Sequence, residues 1–346
     1  MNPHTKLITL ASLTLGTTLT ISSNHWAMAW AGLEINTLAI IPMISKPHHP
    51  RAIEATIKYF LVQAAASASI LFSSMINAWT SGQWDITQMT NTTSCLLLTA
   101  AIAMKLGLTP FHFWFPEVLQ GSSLTTALLL STVMKFPPIA ILLLTSNSLN
   151  PPLLTLMAIM STALGGWMGL NQTQVRKILA FSSISHLGWM AAITIYAPKL
   201  TLLTFLLYTL LTSTIFLSLN TSNITKLSTL MSSWTKTPML NAILMLTLLS
   251  LAGLPPFIGF LPKWLILQEL TKQEMTPTAL TIALLSLLSL FFYLRLTYFS
   301  SITLPPASIS QTKHWYVNKN TNTLIAILAS LSTLLLPLSP LILSSI

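Results

Sequence analysis

Four ionisable side chains lie inside long apolar stretches of this 346-residue sequence, namely Glu34, Lys105, Lys135 and Lys263. A charge at the centre of a bilayer costs at least about 2.5–3.5 kcal/mol, so such groups are kept only where they face a polar interior. Burial disfavours the charged form of each group, and an opposite charge nearby favours it. A lysine with a carboxylate that can approach or leave is therefore a protonation switch. These residue types indicate a proton relay.

Two histidines are further candidates for proton transfer, since histidine changes its charge near neutral pH. His112 lies in a Gly- and Pro-containing segment, and His186 follows a stripe of Ser182, Ser183 and Ser185 inside an apolar stretch. A single histidine in a membrane helix also serves as a packing hydrogen bonder. Both interpretations remain open for each histidine.

The four charges also have simpler interpretations. Lys263 adjoins Trp264, so its amino group could extend to a membrane interface. Glu34 could be a fixed structural partner of one lysine, and Glu117 could be a surface residue. Lys135, in the middle of its apolar stretch, is the hardest to explain in this way.

The elements that must position these side chains are membrane-spanning helices. Apolar residues make up 53% of the chain and charged residues 6%, against about 25% charged residues in an ordinary globular domain. A spanning helix needs about 20 predominantly apolar residues. The sequence predicts an all-α integral membrane protein with eleven spans, at 6–23, 26–45, 57–77, 94–121, 124–146, 152–171, 175–196, 200–219, 238–268, 277–299 and 323–345.

The basic residues behave as topology signals. The net charge is +10, but the basic residues are dispersed and form no face or run that would bind nucleic acid. Alternating the predicted loops places Lys199 and Lys272 on one side. The other side, with the N-terminus, collects Lys6, Lys46, Arg51, Lys58, Arg176, Lys177, Lys226, Lys236, Arg295, Lys313 and Lys319. The more basic side is predicted to be cytoplasm or mitochondrial matrix.

Two predicted spans share a helix-breaking motif. Residues 107–117 and 253–263 both read G-L-x-P-F-x4-P-[E/K], at a constant offset of 146. Proline removes a backbone donor and clashes with the preceding turn, so each span is predicted to be a broken helix. Matching breaks in two halves indicate an internal repeat. The copies lie five spans apart, which predicts opposite insertion of units 1–146 and 152–299 within one transmembrane domain, 1–346, with an extra helix at 323–345.

Several longer stretches carry a family resemblance: 24–26 (NHW), 30–36 (WAGLEIN), 103–107 (AMKLG), 110–114 (PFHFW), 172–186 (QTQVRKILAFSSISH) and 250–256 (SLAGLPP). On these residues the chain resembles, from end to end, the antiporter-like membrane subunits of respiratory complex I, in the vertebrate form of the mitochondrial chain 2 family. The resemblance implies two inverted five-helix bundles, each with a broken helix.

The resemblance also implies a role. Such subunits translocate protons across the mitochondrial inner membrane, coupled to electron transfer from NADH to ubiquinone in other subunits. It assigns the proton relay to Glu34 with Lys105, then Lys135 and Lys263, with His112 and His186 as links. It implies no cofactor or metal on this chain, a matrix N-terminus and an intermembrane-space C-terminus. Its implied partners are neighbouring antiporter-like and small core subunits, accessory subunits and lipids such as cardiolipin, with no nucleic acid.

Two other functions use the same charges. A free-standing cation/proton antiporter would need them for ion exchange, and a structural spacer in a membrane complex would hold them as static pairs. A free-standing antiporter would occur outside a large assembly. A structural spacer would have charged groups that do not change protonation.

Overall fold

The computed structural model describes residues 3–45, 49–234, 237–301 and 323–339. The predicted all-α class is confirmed, and each of the eleven predicted segments contains helix. The topology residues Lys46, Lys236, Lys313 and Lys319 lie outside the described residues, as does the end of the last predicted span. The helices are α1 (Pro3–Ser22), α2 (Trp26–Ile44), α3 (Pro50–Ser81), α4 (Thr92–Leu106), α5 (Trp114–Gly121), α6 (Leu124–Ser131), α7 (Phe136–Leu144), α8 (Pro151–Gly169), α9 (Val175–Ile193), α10 (Pro198–Ser222), α11 (Leu227–Met231), α12 (Pro238–Ala252), α13 (Phe260–Lys272), α14 (Thr276–Ser301) and α15 (Thr323–Leu334).

Six helical stretches among the described residues are long and apolar enough to cross a bilayer by themselves. They are Trp26–Ile44, Pro50–Ser81, Leu124–Leu144, Pro151–Gly169, Pro198–Ser222 and Thr276–Ser301. The others are shorter, more polar or interrupted. Large apolar side chains are exposed along these helices, and Trp79 is 93% exposed. Lipid or neighbouring subunits must cover such a surface.

Helix α3 shows how this fold distributes polar groups. Its buried face carries Thr56, Tyr59, Gln63 and Ser67, whereas its outer face carries large apolar side chains. The hydroxyl of Ser67 donates to the carbonyl of Ala64 at 2.9 Å, so it is satisfied within its own helix. In hydrocarbon every polar group must find a partner inside the protein. The polar face of α3 therefore points inward.

The start of α3 differs from the prediction. The helix begins at Pro50, not at residue 57, because proline suits the first turn, where its missing N–H would be unpaired anyway. The extra turns hold Lys58, whose amino group lies 2.5 Å from carboxylate oxygens of both Glu54 and Glu117. These three side chains are 40–61% exposed, so the pairing is a surface contact.

Both predicted broken helices are confirmed. Helix α4 ends at Gly107 with φ 76° and α12 ends at Gly253 with φ 84°, a left-handed conformation that glycine adopts without a Cβ clash. The residue after each glycine donates its backbone N–H to the carbonyl five residues earlier. Leu108 donates to Ala103 at 2.9 Å, and Leu254 donates to Leu249 at 3.5 Å. The same termination therefore occurs at both copies of the motif.

The predicted span 124–146 is confirmed as the apolar stretch Leu124–Leu144, but its helix is interrupted. Helix α6 ends at Ser131, a 3₁₀ turn covers Val133–Lys135, and α7 begins at Phe136. Pro137 and Pro138 supply no N–H groups, so the i→i−4 ladder cannot run through them. Lys135 therefore lies at a helix discontinuity, with irregular backbone around it.

Contacts within the chain define two units, Met1–Ser161 with Met190–Pro198, and Thr162–Trp189 with Lys199–Ile346. The first is built around fully buried side chains that include Trp26, Tyr59 and Phe115, and the second around Phe216, Phe292 and Tyr293. The repeat limits 1–146 and 152–299 stay a prediction.

Helices α1 and α2 pack closely through two glycines. A Cβ at Gly16 would lie 2.9 Å from the carbonyl of Gly32, and a Cβ at Gly32 would lie 2.9 Å from the carbonyl of Gly16. Beside them the buried amide of Asn36, suitably oriented, donates to the Leu13 carbonyl at 2.9 Å and accepts from the Thr17 N–H at 3.2 Å. This small-residue contact holds α2, and with it Glu34, against α1.

Replacing Gly16 with valine should push α1 away from α2. We expect Gly16→Val to lower the free energy of unfolding by about 1–3 kcal/mol, the usual cost of overpacking. Ala11→Val, on the exposed face of the same helix, is the matched control. Thermal denaturation of the protein in its native membrane assembly measures both, and equal stability of the two variants would contradict the close packing.

Candidate functional site

Glu34 lies on α2, two residues after the α1 contact. Its Oε2 is buried and has no hydrogen-bond partner among the described residues. The carboxylate interacts electrostatically with Lys105 and Tyr59. In the part of the chain that the structure describes, the ion pairs within 4.0 Å do not include Glu34. The carboxylate is therefore near Lys105 but not locked to it, unlike a fixed structural pair.

Lys105 is in the last turn of α4, just before the first break. Its side chain is only 6% exposed, and its Nζ has no hydrogen-bond partner among the described groups. Gln63 of α3 donates from Nε2 to the Lys105 carbonyl at 3.4 Å, which links the end of α4 to the polar face of α3. A cation is favoured at a helix C-terminus, where the unpaired carbonyls carry partial negative charge.

Lys135 lies in the 3₁₀ turn between α6 and α7, and its side chain is 3% exposed. Its Nζ lies 4.9 Å from the centroid of the Phe115 ring, within the range of a cation–π interaction. The side chain is therefore enclosed by the protein and is not on its surface.

Lys105 and Lys135 line the same small cavity. Tyr59, Gln63 and Trp114 also line it, and the volume open to the centre of a water molecule is about 20 Å³. One water needs about 10–15 Å³ by this measure and two to four polar partners. The cavity thus has room for about one water beside these residues.

Lys263 lies in the first turn of α13, just after the second break. Its Nζ donates to the carbonyl of Ala252 at 2.8 Å and lies 5.9 Å from the centroid of the Trp189 ring. It thereby caps the carboxyl end of α12 across the break. The neighbouring Trp264 is 52% exposed, whereas the amino group of Lys263 points back into its own unit. The amine does not extend outward to an interface.

The two copies of the break motif carry opposite charges at one position. Glu117 stands where the second copy has Lys263, but Glu117 pairs with the exposed Lys58. In the first copy the break is bridged by Trp114, whose Nε1 donates to the Met104 carbonyl at 3.2 Å. Each break thus receives a side-chain donor from the second half-helix, through different residues.

The two candidate histidines have different surroundings. His112 lies in the first break and is 1% exposed, so its ring is enclosed in the protein. The Nε2 of His186 lies 3.3 Å from the hydroxyl of Tyr293, and its ring centroid lies 5.6 Å from that of Tyr208. His186 therefore makes a helix-packing hydrogen bond, which leaves a role in proton transfer open.

Sequence reasoning missed the buried tyrosines. Tyr59 stands beside the Glu34–Lys105 site, and Tyr208 and Tyr293 surround His186. A signal existed, because Tyr59 and Gln63 are four residues apart on α3, and Ser289 precedes Tyr293 by the same spacing on α14. Polar residues at helical spacing in apolar helices mark an inward face.

Among the described residues, no group of three or more His, Cys, Asp or Glu side chains could hold a metal ion. The expectation that this chain carries no cofactor stays a prediction.

Comparison with known proteins defines the class. Residues 23–291 match the family model described as "NADH:quinone oxidoreductase/Mrp antiporter, TM", and residues 290–343 match "NADH dehydrogenase subunit 2 C-terminus". A chain in "Respiratory complex I from Thermus thermophilus with bound Aureothin" has the same fold, with a TM-score of 0.81 and 26% identity over 95% of this chain and 78% of that chain. A chain of the Mrp complex from Dietzia is similar in fold alone, with a TM-score of 0.76 and 17% identity over 86% of this chain and 60% of that one.

These matches identify an antiporter-like integral membrane subunit. The chain is also 75% identical over its full length to all of the NADH-ubiquinone oxidoreductase chain 2 of Struthio camelus, and 74% identical over 99% of both chains to that of Gallus gallus. The chain belongs to the NADH-ubiquinone oxidoreductase chain 2 family, which confirms the resemblance found in the sequence.

The second break offers a test of the Lys263 contact. A Cβ at Gly253 would lie 2.9 Å from Cδ and 3.0 Å from Nζ of Lys263. We expect Gly253→Ala to displace the amine from Ala252 and to cost about 1–2 kcal/mol for the left-handed backbone, plus about 1.5–3 kcal/mol for the lost charged hydrogen bond.

The matched control is Gly82→Ala, because Gly82 has φ 73° and nothing within 4 Å of its built Cβ. It should lose only the backbone contribution. Thermal denaturation of the native assembly compares the two, and an equal loss would show that Lys263 adjusts without cost.

Proposed function

We propose that this chain moves protons across the membrane through Glu34, Lys105, Lys135 and Lys263. As a member of its family, the chain is a membrane subunit of proton-pumping NADH:ubiquinone oxidoreductase, respiratory complex I. The electron transfer from NADH to ubiquinone takes place in other subunits of that enzyme. The contribution of this chain is the buried set of protonatable groups.

The observation that carries the proposal is the shared cavity of Lys105 and Lys135. Two buried lysines, 6% and 3% exposed, line one small cavity with Tyr59, and the amine of Lys105 is in none of the ion pairs of the described residues. A structural ion pair would be closed and satisfied. Amines that share a cavity large enough for a water are instead arranged to exchange a proton through it.

The roles follow from the environment of each group. Glu34 and Lys105 act as a gate, because the proton affinity of each depends on the distance between two groups that are near but not joined. Lys135 relays the proton inside the cavity. Lys263 loads or releases it in the second unit, where its amine exchanges between the Ala252 carbonyl and other partners. His112 and His186 are candidate links.

The setting of the chain is part of the same proposal. Neighbouring antiporter-like subunits, small core subunits and accessory subunits cover the exposed apolar helix faces, together with lipids such as cardiolipin. The membrane is the mitochondrial inner membrane, with the N-terminus in the matrix and the C-terminus in the intermembrane space. The charge asymmetry of the loops supports this orientation. Full-length identity with chain 2 proteins favours this setting over a free-standing antiporter.

Removing the amine at position 135 should uncouple the enzyme. We expect Lys135→Met, which keeps most of the side-chain volume, to leave the complex assembled but to lower NADH–ubiquinone turnover and the proton-to-electron ratio. Lys135→Ala should do the same with a larger loss of stability. Proton uptake and NADH oxidation, measured together in sealed membrane vesicles, provide the readout.

The control is Lys272→Ala, which removes a 66% exposed lysine that pairs only with Glu269 within the described chain. Surface pairs of this kind contribute about 0–1 kcal/mol, so turnover and coupling should stay at the wild-type level. If both Lys135 variants also kept wild-type turnover and proton-to-electron ratio, Lys135 would not be a relay.

A further inference from the structure

Tyr59 is the most enclosed phenol of the first unit. It lies on α3 and is 1% exposed, and its hydroxyl has no hydrogen-bond partner among the described groups. A buried hydroxyl without a partner is costly, so it is uncommon unless it serves a purpose. Stability alone would favour phenylalanine at this position, because phenylalanine fills nearly the same space without a polar atom.

The surroundings of this hydroxyl suggest its purpose. Tyr59 lines the same cavity as Lys105 and Lys135. It also interacts electrostatically with Glu34, whose buried Oε2 equally lacks a hydrogen-bond partner. Tyr59 and Lys105 both line the cavity and both lie within electrostatic range of Glu34.

The ring itself is held in place. Its centroid lies 5.8 Å from that of Trp114 in an edge-to-face arrangement. Trp114 in turn donates to the Met104 carbonyl at the end of α4, so the aromatic pair is attached to the first helix break. The position of the phenol is thus coupled to the segment that carries Lys105.

We propose that Tyr59 is a proton-transfer residue that connects the Glu34 carboxylate with the Lys105–Lys135 cavity. A phenol suits this task because its oxygen donates one hydrogen bond and accepts others at the same time. It adds no charge to an apolar interior in its resting state. This inference rests on the proposed function and extends it by one residue.

The transfer balances without a further reactant. The Tyr59 O–H bond breaks as its proton passes to the Glu34 carboxylate, and a new O–H bond forms with a proton from the Lys105 ammonium, directly or through a cavity water. Glu34 becomes a neutral acid, Lys105 becomes a neutral amine, and the phenol is regenerated. The two opposite charges disappear together, so neither remains uncompensated in the membrane interior.

Tyr59→Phe in the assembled complex tests this role, because it removes only the hydroxyl oxygen and keeps the Trp114 contact. We expect normal assembly, a fall in coupled turnover of roughly a hundredfold or more, a lower proton-to-electron ratio, and a change in the solvent deuterium isotope effect. A packing role alone would leave the isotope effect and the ratio unchanged. Tyr298→Phe, at a 56% exposed tyrosine of α14, is the matched control.

The outcome separates the two proposals when Lys135→Met is measured beside it. If Lys135→Met loses coupling while Tyr59→Phe keeps wild-type turnover, ratio and isotope effect, Tyr59 is not a link and the relay bypasses it. If neither variant changes these quantities, the proton-transfer function itself fails. If Tyr59→Phe prevents assembly, Tyr59→His supplies the second test, since it keeps a group that can carry protons and should restore turnover above that of Tyr59→Leu.

Discussion

The structure depends on one constraint, namely that a polar group inside a hydrocarbon layer must find its partner within the protein. Continuous helices meet this requirement for the backbone. The hydroxyl-rich surface of α3 meets it for side chains, because serine donates to its own preceding turn, as Ser67 does at 2.9 Å to Ala64. The same constraint turns the polar face of α3 inward and leaves large apolar residues such as Trp79 on the outside.

Where a helix breaks, the constraint is met by specific side chains. Glycine allows the left-handed turn at Gly107 and at Gly253, and a donor from the following half-helix reaches a carbonyl of the preceding one. That donor is the indole of Trp114 in the first unit and the amine of Lys263 in the second. In the first unit the helix end is therefore bonded by Trp114 and not by a lysine, and Lys105 lines the cavity.

Because of this difference, the lysines of the two units have different surroundings although both units share one backbone motif. In the first, Glu34 and Lys105 are close but unjoined, and Lys105 shares a cavity with Lys135. In the second, Lys263 is bonded to a helix end, so its release requires a change at the break. Breaks and cavities are the places where hydrated, irregular backbone is tolerated in a membrane protein, and Lys105, Lys135 and Lys263 lie at such places.

The sequence by itself determined the all-α membrane class, both glycine–proline breaks and the charges that lie within apolar stretches. These follow from local composition, because a charge in an apolar stretch and a proline in a helix act within a few residues of themselves. The boundaries were less accurate, since α3 begins at Pro50 and α6 gives way to a 3₁₀ turn at Lys135.

Only the tertiary structure decided which charges meet. It joined Lys105 with Lys135 at one cavity, kept Glu34 from pairing, paired Glu117 with Lys58, and brought Tyr59 to the site. Residues far apart in the sequence, such as Tyr59 and Lys105 at 46 positions, are brought together by helix packing, and packing depends on the shapes of many side chains at once. No local pattern around Tyr59 specifies that neighbour.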